Sequence, residues 1–474
     1  MNPTNPFTPA SPLHRRNFIK GALGAGAFTA AASTHLFAAP SKSEKVNLAC
    51  CGIGNRGAEG IMEHHKTGLA NIVAFCDTDM GAPHTQAILK KFPDVPRFQD
   101  FREMLEKIGD QIDAVTIGVP DFSHFPIAML AMSMGKHVYV EKPMALTFQE
   151  CQLMMDAEKK YKVACQMGNQ GHSDANYFQF KTWTEAGIIK DITKISAFMN
   201  NPRRWHGMKV SGYLPKQEIP PSLDWDTWLV TRRHHDYNKG YVNGEWRSWY
   251  DFGNGALGDW GAHIFDTAHQ FLDLGLPEEI DSVYQEGSND FIFPQASTLA
   301  FKFPARGSMP ALQLDWYDGQ KNLPPMPSDF GNDVIDPNIP PPSTGKVETK
   351  ARPPGKVIYG KELTFKGGSH GSTLQIIPDG KAKEMASSLP KVPKSTSNHF
   401  ANFLKACKGE EKCRSSFDVA GPLSQVLVLG VIAQRLNRKI LFDRATQQIT
   451  NDKIANAMLV GPPPREGWEQ YYKL

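Results

Sequence analysis

The chain of 474 residues is poor in cysteine and, outside its first 39 residues, has no excess of either charge. Seven cysteines are present, and none falls in a C-x-x-C spacing. Cys50 and Cys51 are adjacent, Cys76 ends a strand-like run, and Cys151, Cys165, Cys407 and Cys413 are scattered. A disulfide framework and a cysteine metal site are therefore excluded, and buried apolar thiols are expected. Of 52 Lys and Arg, three (Arg15, Arg16 and Lys20) lie in residues 1–39, which contain no acid, so the rest balances at 49 against 49. A neutral remainder has no electrostatic footprint for nucleic acid or an anionic membrane. Hydrophobic residues at 41% and charged residues at 21% exclude both a disordered chain and a multi-span membrane protein. The length suggests two or three domains, and no internal repeat is visible.

Residues 15–20 read Arg-Arg-Asn-Phe-Ile-Lys and precede a weakly apolar Gly/Ala run from Gly21 to Ala39. Such a run is too short to span a bilayer stably, and a basic segment before it reads as an export signal. The paired arginines resemble the twin-arginine motif, with His14 before them in place of the usual Ser or Thr. Residues 1–39 are expected to be this signal, with the rest exported to the periplasm and not stably inserted in a membrane.

The strand-like run Lys45–Cys51 leads into Gly52-Ile53-Gly54-Asn55-Arg56-Gly57, a G-x-G-x-x-G. The first glycine permits the tight turn, the second lets backbone approach a pyrophosphate, and the third lets the next helix pack closely. A helix-compatible stretch, Ala58–Lys66, and a second strand, Ala70–Cys76, follow. Asp77 lies 20 residues after Gly57, where a ribose-binding carboxylate belongs. No Arg or Lys occurs between Asp77 and Lys90, which favours NAD over NADP.

Helix-like and strand-like segments then alternate. Helices are expected over Thr85–Lys91, Phe101–Ile108, Ser123–Gly135 and Gln149–Lys160, and strands over Ala114–Val119, His137–Val140 and Lys162–Gln166. This alternation predicts a doubly wound parallel sheet, a Rossmann domain over residues 44–166, with ligands at the carboxyl ends of its strands. Gly52, Asp77, Pro120 and Glu141 all fall at such ends.

Glu141-Lys142-Pro143 resembles the EKP signature of the Gfo/Idh/MocA oxidoreductases (glucose–fructose oxidoreductase and inositol dehydrogenase). Val119-Pro-Asp-Phe-Ser-His124, Met167-Gly-Asn-Gln170 and Gly255-Ala-Leu-Gly-Asp259-Trp-Gly-Ala-His263 are similar to that family's later motifs. The resemblance covers roughly residues 44–300 and, more loosely, reaches about 445. It implies a second α+β domain with an open, mainly antiparallel sheet over residues 167–445, ahead of a tail over 446–474. It also implies cofactor contacts at His124, Glu141, Lys142 and Asn169, catalytic roles for Lys142, Asp259 and His263, and a homo-oligomer.

The chemistry is intelligible from the residues alone. Moving hydride from a secondary alcohol to a nicotinamide requires the hydroxyl proton to leave, so a base must lie within hydrogen-bond reach. His263 suits that task near neutral pH. Lys142 supplies a fixed positive charge that lowers the hydroxyl's proton affinity. If Asp259 through His263 is helical, the two side chains share a face. The bland readings are a solvated loop lysine, a helix cap for Asp259, and a structural role for His263. His124 divides evenly between cofactor contact and loop packing. No metal is expected: His263-x-x-Asp266-x-x-His269 is the one suggestive spacing, and Asp266 and His269 are read as the polar side of a helix. His64–His65 and His234–His235 are read as surface.

Six of nine tryptophans lie between residues 205 and 260 (Trp205, Trp225, Trp228, Trp246, Trp249 and Trp260), accompanied by Tyr213, Tyr237, Tyr241 and Tyr250. Flat rings suit the faces of sugars, and Arg203, Arg204, Arg232 and Arg233 could meet acidic groups. A cluster that packs on itself is nearly as plausible, above all over Leu223–Trp228. Residues 323–355 hold nine prolines in 33 positions, so they form a loop rather than a central element. Strands at Thr364–Lys366 and Thr373–Ile377 and helices over Asn398–Cys407 and Val419–Leu436 follow. The last helix is expected to be capped within Ser415–Asp418, and the tail is expected to dock by its aromatics.

Two enzymatic readings emerge, both with a sugar, cyclitol or glycoside as partner. The first is NAD(P)-dependent hydride transfer at a secondary hydroxyl, with a cofactor retained through export. The second is an NAD-dependent glycosidase working by transient oxidation, elimination, water addition and re-reduction. A non-catalytic nucleotide-binding protein would need none of Lys142, Asp259 and His263.

Overall fold

The computed structural model describes residues 44–199, 209–319, 321–327, 330 and 354–474. Residues 1–39, Arg203, Arg204, Trp205 and most of 323–355 lie outside the described residues.

Six strands form the first sheet: β1 (Val46–Cys51), β2 (Ala70–Cys76), β3 (Arg97–Phe98), β4 (Ala114–Ile117), β5 (His137–Val140) and β6 (Cys165–Met167). They are ordered β3-β2-β1-β4-β5-β6, and all pairs are parallel. Near-continuous burial of β1, β4 and β5 explains their unbroken apolar text, since helices cover both faces. Those helices are α1 (Asn55–Lys66), α2 (Gln86–Lys91), α3 (Phe101–Ile108), α4 (His124–Ser133) and α5 (Phe148–Tyr161). Order reverses between β1 and β4, which opens a crevice at their carboxyl ends. β3 has only two residues and follows Pro96, too little text for period-two reasoning.

The remaining strands are β7 (Ile192–Met199), β8 (Glu279–Glu286), β9 (Ala296–Phe303), β10 (Leu312–Asp318), β11 (Gly355–Gly360), β12 (Thr364–Gly368), β13 (Gln375–Ile377), β14 (Ile440–Asp443) and β15 (Gln448–Ile449). They make a nine-stranded sheet, β13-β12-β11-β7-β10-β9-β8-β14-β15. Only β7 and β10 run parallel, so the sheet is mainly antiparallel. The protein is thus an α/β chain with a Rossmann sheet followed by an α+β unit. The 20-residue helix Phe417–Leu436 packs against α5, β8 and β9, and its apolar length is core. Its first residue is Phe417; Ser416 precedes it without a side-chain cap bond, so the expected cap is not formed.

The chain end returns to the first domain. Trp468 and Tyr471 bury against Phe101, Tyr472 packs on Phe125, and its hydroxyl donates to Glu150 Oε1 at 2.7 Å. Arg232 donates to the same oxygen at 3.1 Å, which holds it in a buried structural pair rather than free for a substrate. Burial also overturns one surface reading: His64 is inaccessible, edge-on to Tyr139 and Phe400. His235 is likewise largely covered, against Tyr213 and Asp251. His65 and His234 are exposed.

The aromatic cluster is chiefly a packing unit. Trp225 and Trp228 stack with ring centres 4.6 Å apart, and Trp249 meets Tyr241 edge-on at 4.8 Å. All seven cysteines are unpaired as thiols, six of them buried.

Candidate active site

The turn from β1 to α1 begins with Gly52 at φ +79°, a conformation disfavoured for any side chain. A Cβ on Gly57 would lie 2.1 Å from the carbonyl oxygen of Gly52, so helix and loop can approach only with glycine there. Gly54 precedes α1 and offers no side-chain cap. The first amides of the helix therefore stand ready for an anion, with the helix dipole behind them. Ile53 is wholly buried, while its backbone N–H donates to Asp77 Oδ2 at 3.0 Å. Asp77 Oδ1 accepts from Asp79 N at 3.0 Å, and burial raises the pKa of this carboxyl above its ordinary value.

A cavity of about 500 Å³ starts at this cradle. Its wall includes Gly52, Gly54, Asn55, Arg56, Asp77, Pro120, Glu141, Lys142 and Asp259. Arg56 Nε donates to Glu141 Oε1 at 3.0 Å, and Gln170 Nε2 donates to the same oxygen at 3.1 Å. This pair ties α1 to the end of β5. Lys142 is next in chain, and its Nζ donates to both the carboxylate Oδ1 and, at 3.2 Å, the backbone oxygen of Asp259. The pair joins the two domains on the cavity wall.

Five expected site residues are not on this wall: Ile53 and Gly57 lie behind the turn, and His124, Asn169 and His263 sit deeper. His124 is buried with Nδ1 2.9 Å from the Pro143 carbonyl and Nε2 3.0 Å from that of Val119. It braces two site loops from behind the wall, and burial lowers its pKa to about 4. Asn169 is engaged in a buried network: its amide donates to Asp266 Oδ1 at 2.8 Å, and it accepts from Ser415 Oγ at 2.7 Å. His263 is buried close enough to Lys142 to feel its charge, stacked on His370 with ring centres 3.9 Å apart. Burial first, then His370 and Lys142, push its pKa well below the ordinary value, and its Nδ1 makes no hydrogen bond.

The segment bearing Asp259 and His263 departs from α-helical geometry. Leu257–Gly261 is a π-helical turn, and a short α-helix follows at Ala262–Ile264. A π turn bonds i to i+5. Asp259 turns to Lys142, and His263 turns to His370. Asp266 and His269 are buried rather than on a polar face: Asp266 meets His172 Nδ1 at 2.6 Å, and His269 Nε2 lies 2.9 Å from the Gly275 carbonyl. Among the described residues, no three His, Cys, Asp or Glu side chains gather as a metal site.

The cavity also holds groups that sequence reasoning did not single out. Asp121 lies in the quoted loop after β4. Burial raises its pKa to about 7, against the lowering charge of Arg247, while Asp259 raises it further. Its Oδ2 accepts from Asn254 N at 3.0 Å. Arg247 and Trp246 come from the aromatic cluster, where the motif-free text gave no reason to prefer Arg247 over its neighbours. His370 lies far from any motif.

A strap from the second domain closes the Asp77 end. Asp224 N donates to Thr78 O at 2.8 Å, and Ser222 Oγ donates to Asp79 Oδ1 at 2.7 Å. Gln99 Nε2 donates to both Thr78 O and Ser222 O at 2.8 Å.

Comparison with known proteins agrees with this geometry. Residues 46–169 match the Gfo/Idh/MocA oxidoreductase family, NAD-binding Rossmann fold, and residues 185–288 match its C-terminal alpha/beta domain. Together these matches support the Gfo/Idh/MocA family for this chain. A glycosyl hydrolase family 109 protein of Shewanella sp. (strain W3-18-1) is 28% identical over 247 residues, 47% of this chain and 52% of the relative. An alpha-N-acetylgalactosaminidase of Shewanella oneidensis is 27% identical over the same length and shares. The chain thus spans about half the length of the curated relatives it matches. Among solved structures, the WlbA dehydrogenase of Chromobactrium violaceum, in complex with NADH and UDP-GlcNAcA, aligns with a TM-score of 0.56 at 15% identity, over 86% of this chain and 98% of that one. An aldose-aldose oxidoreductase of Caulobacter crescentus aligns at 0.52 and 15%, over 84% and 100%. These structural likenesses concern the fold.

Proposed function

We propose that this chain is an NAD-dependent oxidoreductase that moves hydride to or from a secondary hydroxyl of a sugar or cyclitol and retains its nucleotide. One observation carries the reading: a single cavity is lined both by the glycine turn at the N-terminus of α1 and by the Lys142–Asp259 pair. The glycine cradle and the α1 amides fit a pyrophosphate, Asp77 a ribose, and Pro120 and Glu141 the walls beside the nicotinamide. The acid at position 77, with no Arg or Lys between it and Lys90, favours NAD over NADP. Bound there, the dinucleotide supplies the hydride acceptor or donor.

The chain's own residues manage the proton. Lys142 donates to the substrate oxygen and stabilises the negative charge that grows on it. Asp259 holds the ammonium in place. His263, neutral and with a partnerless Nδ1, takes the proton. Because its ring is off the cavity wall, a water or a small shift of His370 completes the path. The strap over Asp79 supports retention of the nucleotide, and the basic–apolar text of residues 1–39 supports export of the loaded enzyme.

The family 109 relatives favour a second reading from the same residues. Transient oxidation of a ring hydroxyl acidifies the neighbouring C–H, the glycosidic bond eliminates, water adds, and the ketone is reduced back. The test is to purify the protein without added cofactor, denature it, identify the released nucleotide, and assay sugars, cyclitols and aryl glycosides. Accumulating reduced nicotinamide fits the first reading. Glycoside cleavage without net redox change fits the second. A protein that neither carries nor binds NAD(P) contradicts both.

A further inference from the structure

The substrate end of the cavity contains a cation with unused donors. The guanidinium carbon of Arg247 sits over the indole of Trp246, 4.1 Å from the ring centre. Trp246 is itself buried, so the guanidinium is held against a fixed ring. None of the side-chain N–H groups of Arg247 makes a hydrogen bond among the described residues. The nearest carboxylate oxygen, Asp259 Oδ2, is 3.8 Å from Nε, beyond hydrogen-bond reach. The other oxygen of that carboxylate already receives Lys142. The guanidinium is only partly covered, and it faces the same cavity as Lys142.

A guanidinium fixed in this way offers paired parallel donors that match a planar carboxylate. The neighbouring charges leave room for an anion. Lys142 and Arg247 share Asp259; among the described residues of this wall Glu141 is engaged by Arg56, and Asp121 is half-neutral near pH 7 because burial raises its pKa to about 7. An oxidised nicotinamide would add a further positive charge.

We propose that Arg247 is a specificity-determining residue that reads a carboxylate on the substrate, so that the preferred sugars or cyclitols are acidic, with the carboxylate a short way along the ring from the reacting hydroxyl. This rests on the reading of the site given above. It gives the arginine a role distinct from that of Lys142: Arg247 orients the ring and touches no reacting atom. A sulfate ester shares the anionic chemistry and can also meet the fork with two oxygens, so a sulfate probe separates the two sources of charge.

The test uses the full chain loaded with NAD and three probes: methyl β-D-glucuronide, methyl β-D-glucoside and methyl β-D-glucoside 6-sulfate. Binding is read by calorimetry and by tryptophan fluorescence, in the wild type and in Arg247→Gln and Arg247→Lys. The expected result is about tenfold tighter binding of the uronide than of the neutral glycoside, as for one charge-assisted bidentate pair. Arg247→Gln should erase that preference while NAD affinity stays within about twofold, and Arg247→Lys should restore part of it. Equal affinity for uronide and glucoside overturns the proposal, as does a preference that survives in Arg247→Gln. Tighter binding of the sulfate than of the uronide overturns the carboxylate assignment. If Arg247→Gln lowers NAD affinity instead, the arginine serves the nucleotide and the proposal fails. Failure of the wild type to bind NAD would sink the reading of the whole site, an outcome distinct from each of these.

Discussion

Lys142 and Asp259 meet although 117 positions separate them, and the lysine's Nζ engages both the carboxylate and the backbone oxygen of the aspartate. The contact joins the end of β5 to the π turn of the second domain, so the reacting centre exists only when the two domains are docked. Replacing Lys142 by Met should lower turnover by about 10²–10⁴, the range for a positioned proton-transfer or charge-stabilising group. Nucleotide affinity should change less, because the glycine turn and the α1 amides are untouched. Steady-state kinetics paired with NAD titration separates the two effects.

Gly52 offers a sharper test of the cradle. Ala at this position must adopt φ +79° and bring its Cβ to 2.5 Å from the Gly118 carbonyl oxygen. The strain should be about 1–3 kcal/mol, seen as a lower melting temperature together with weakened NAD binding.

The strap gives a kinetic prediction. Gln99→Ala removes two hydrogen bonds that hold Ser222 and Thr78 together. At about 1 kcal/mol per bond, nucleotide release measured by stopped-flow fluorescence should quicken about fivefold or more. The same change should leave the Lys142–Asp259 end, and hence kcat, nearly unaltered.

Asp121 sets a pH dependence. Its carboxyl is neutral below about pH 7 and anionic above it. It faces Arg247, Lys142 and Asp259, and it accepts from the Asn254 amide. Ionisation therefore adds a negative charge where an anionic substrate must sit. KM for an acidic substrate should rise as pH passes about 7, and Asp121→Asn should flatten that rise.

Motif and fold differ in how far the text reveals them. Gly52, Asp77, Glu141 and Lys142 were legible because a parallel sheet puts ligands at strand ends, and each residue follows a buried apolar run. β3 was not legible, because two residues carry no periodicity. Asp259 and His263 lie in helical text, but the π turn at Leu257–Gly261 is not legible, because composition does not reveal a change of helical bonding. His64 was misread because its partners, Tyr139 and Phe400, come from distant segments. Arg247 was hidden by its company, since a tryptophan-rich stretch signals packing wherever its rings face inward. The arginines that did draw attention lie elsewhere: Arg232 is paired with Glu150, and Arg203 and Arg204 are outside the described residues.

Hydride transfer itself is the central claim, and isotope tracing tests it most directly. A substrate deuterated at the carbinol carbon is mixed with NAD-loaded protein, quenched in acid within one turnover, and the released nucleotide is weighed by mass spectrometry. The account predicts deuterium in the nicotinamide for the wild type, in net oxidation and in redox-neutral cleavage alike, and none for Lys142→Met. Product formation with an unlabelled nucleotide would contradict it.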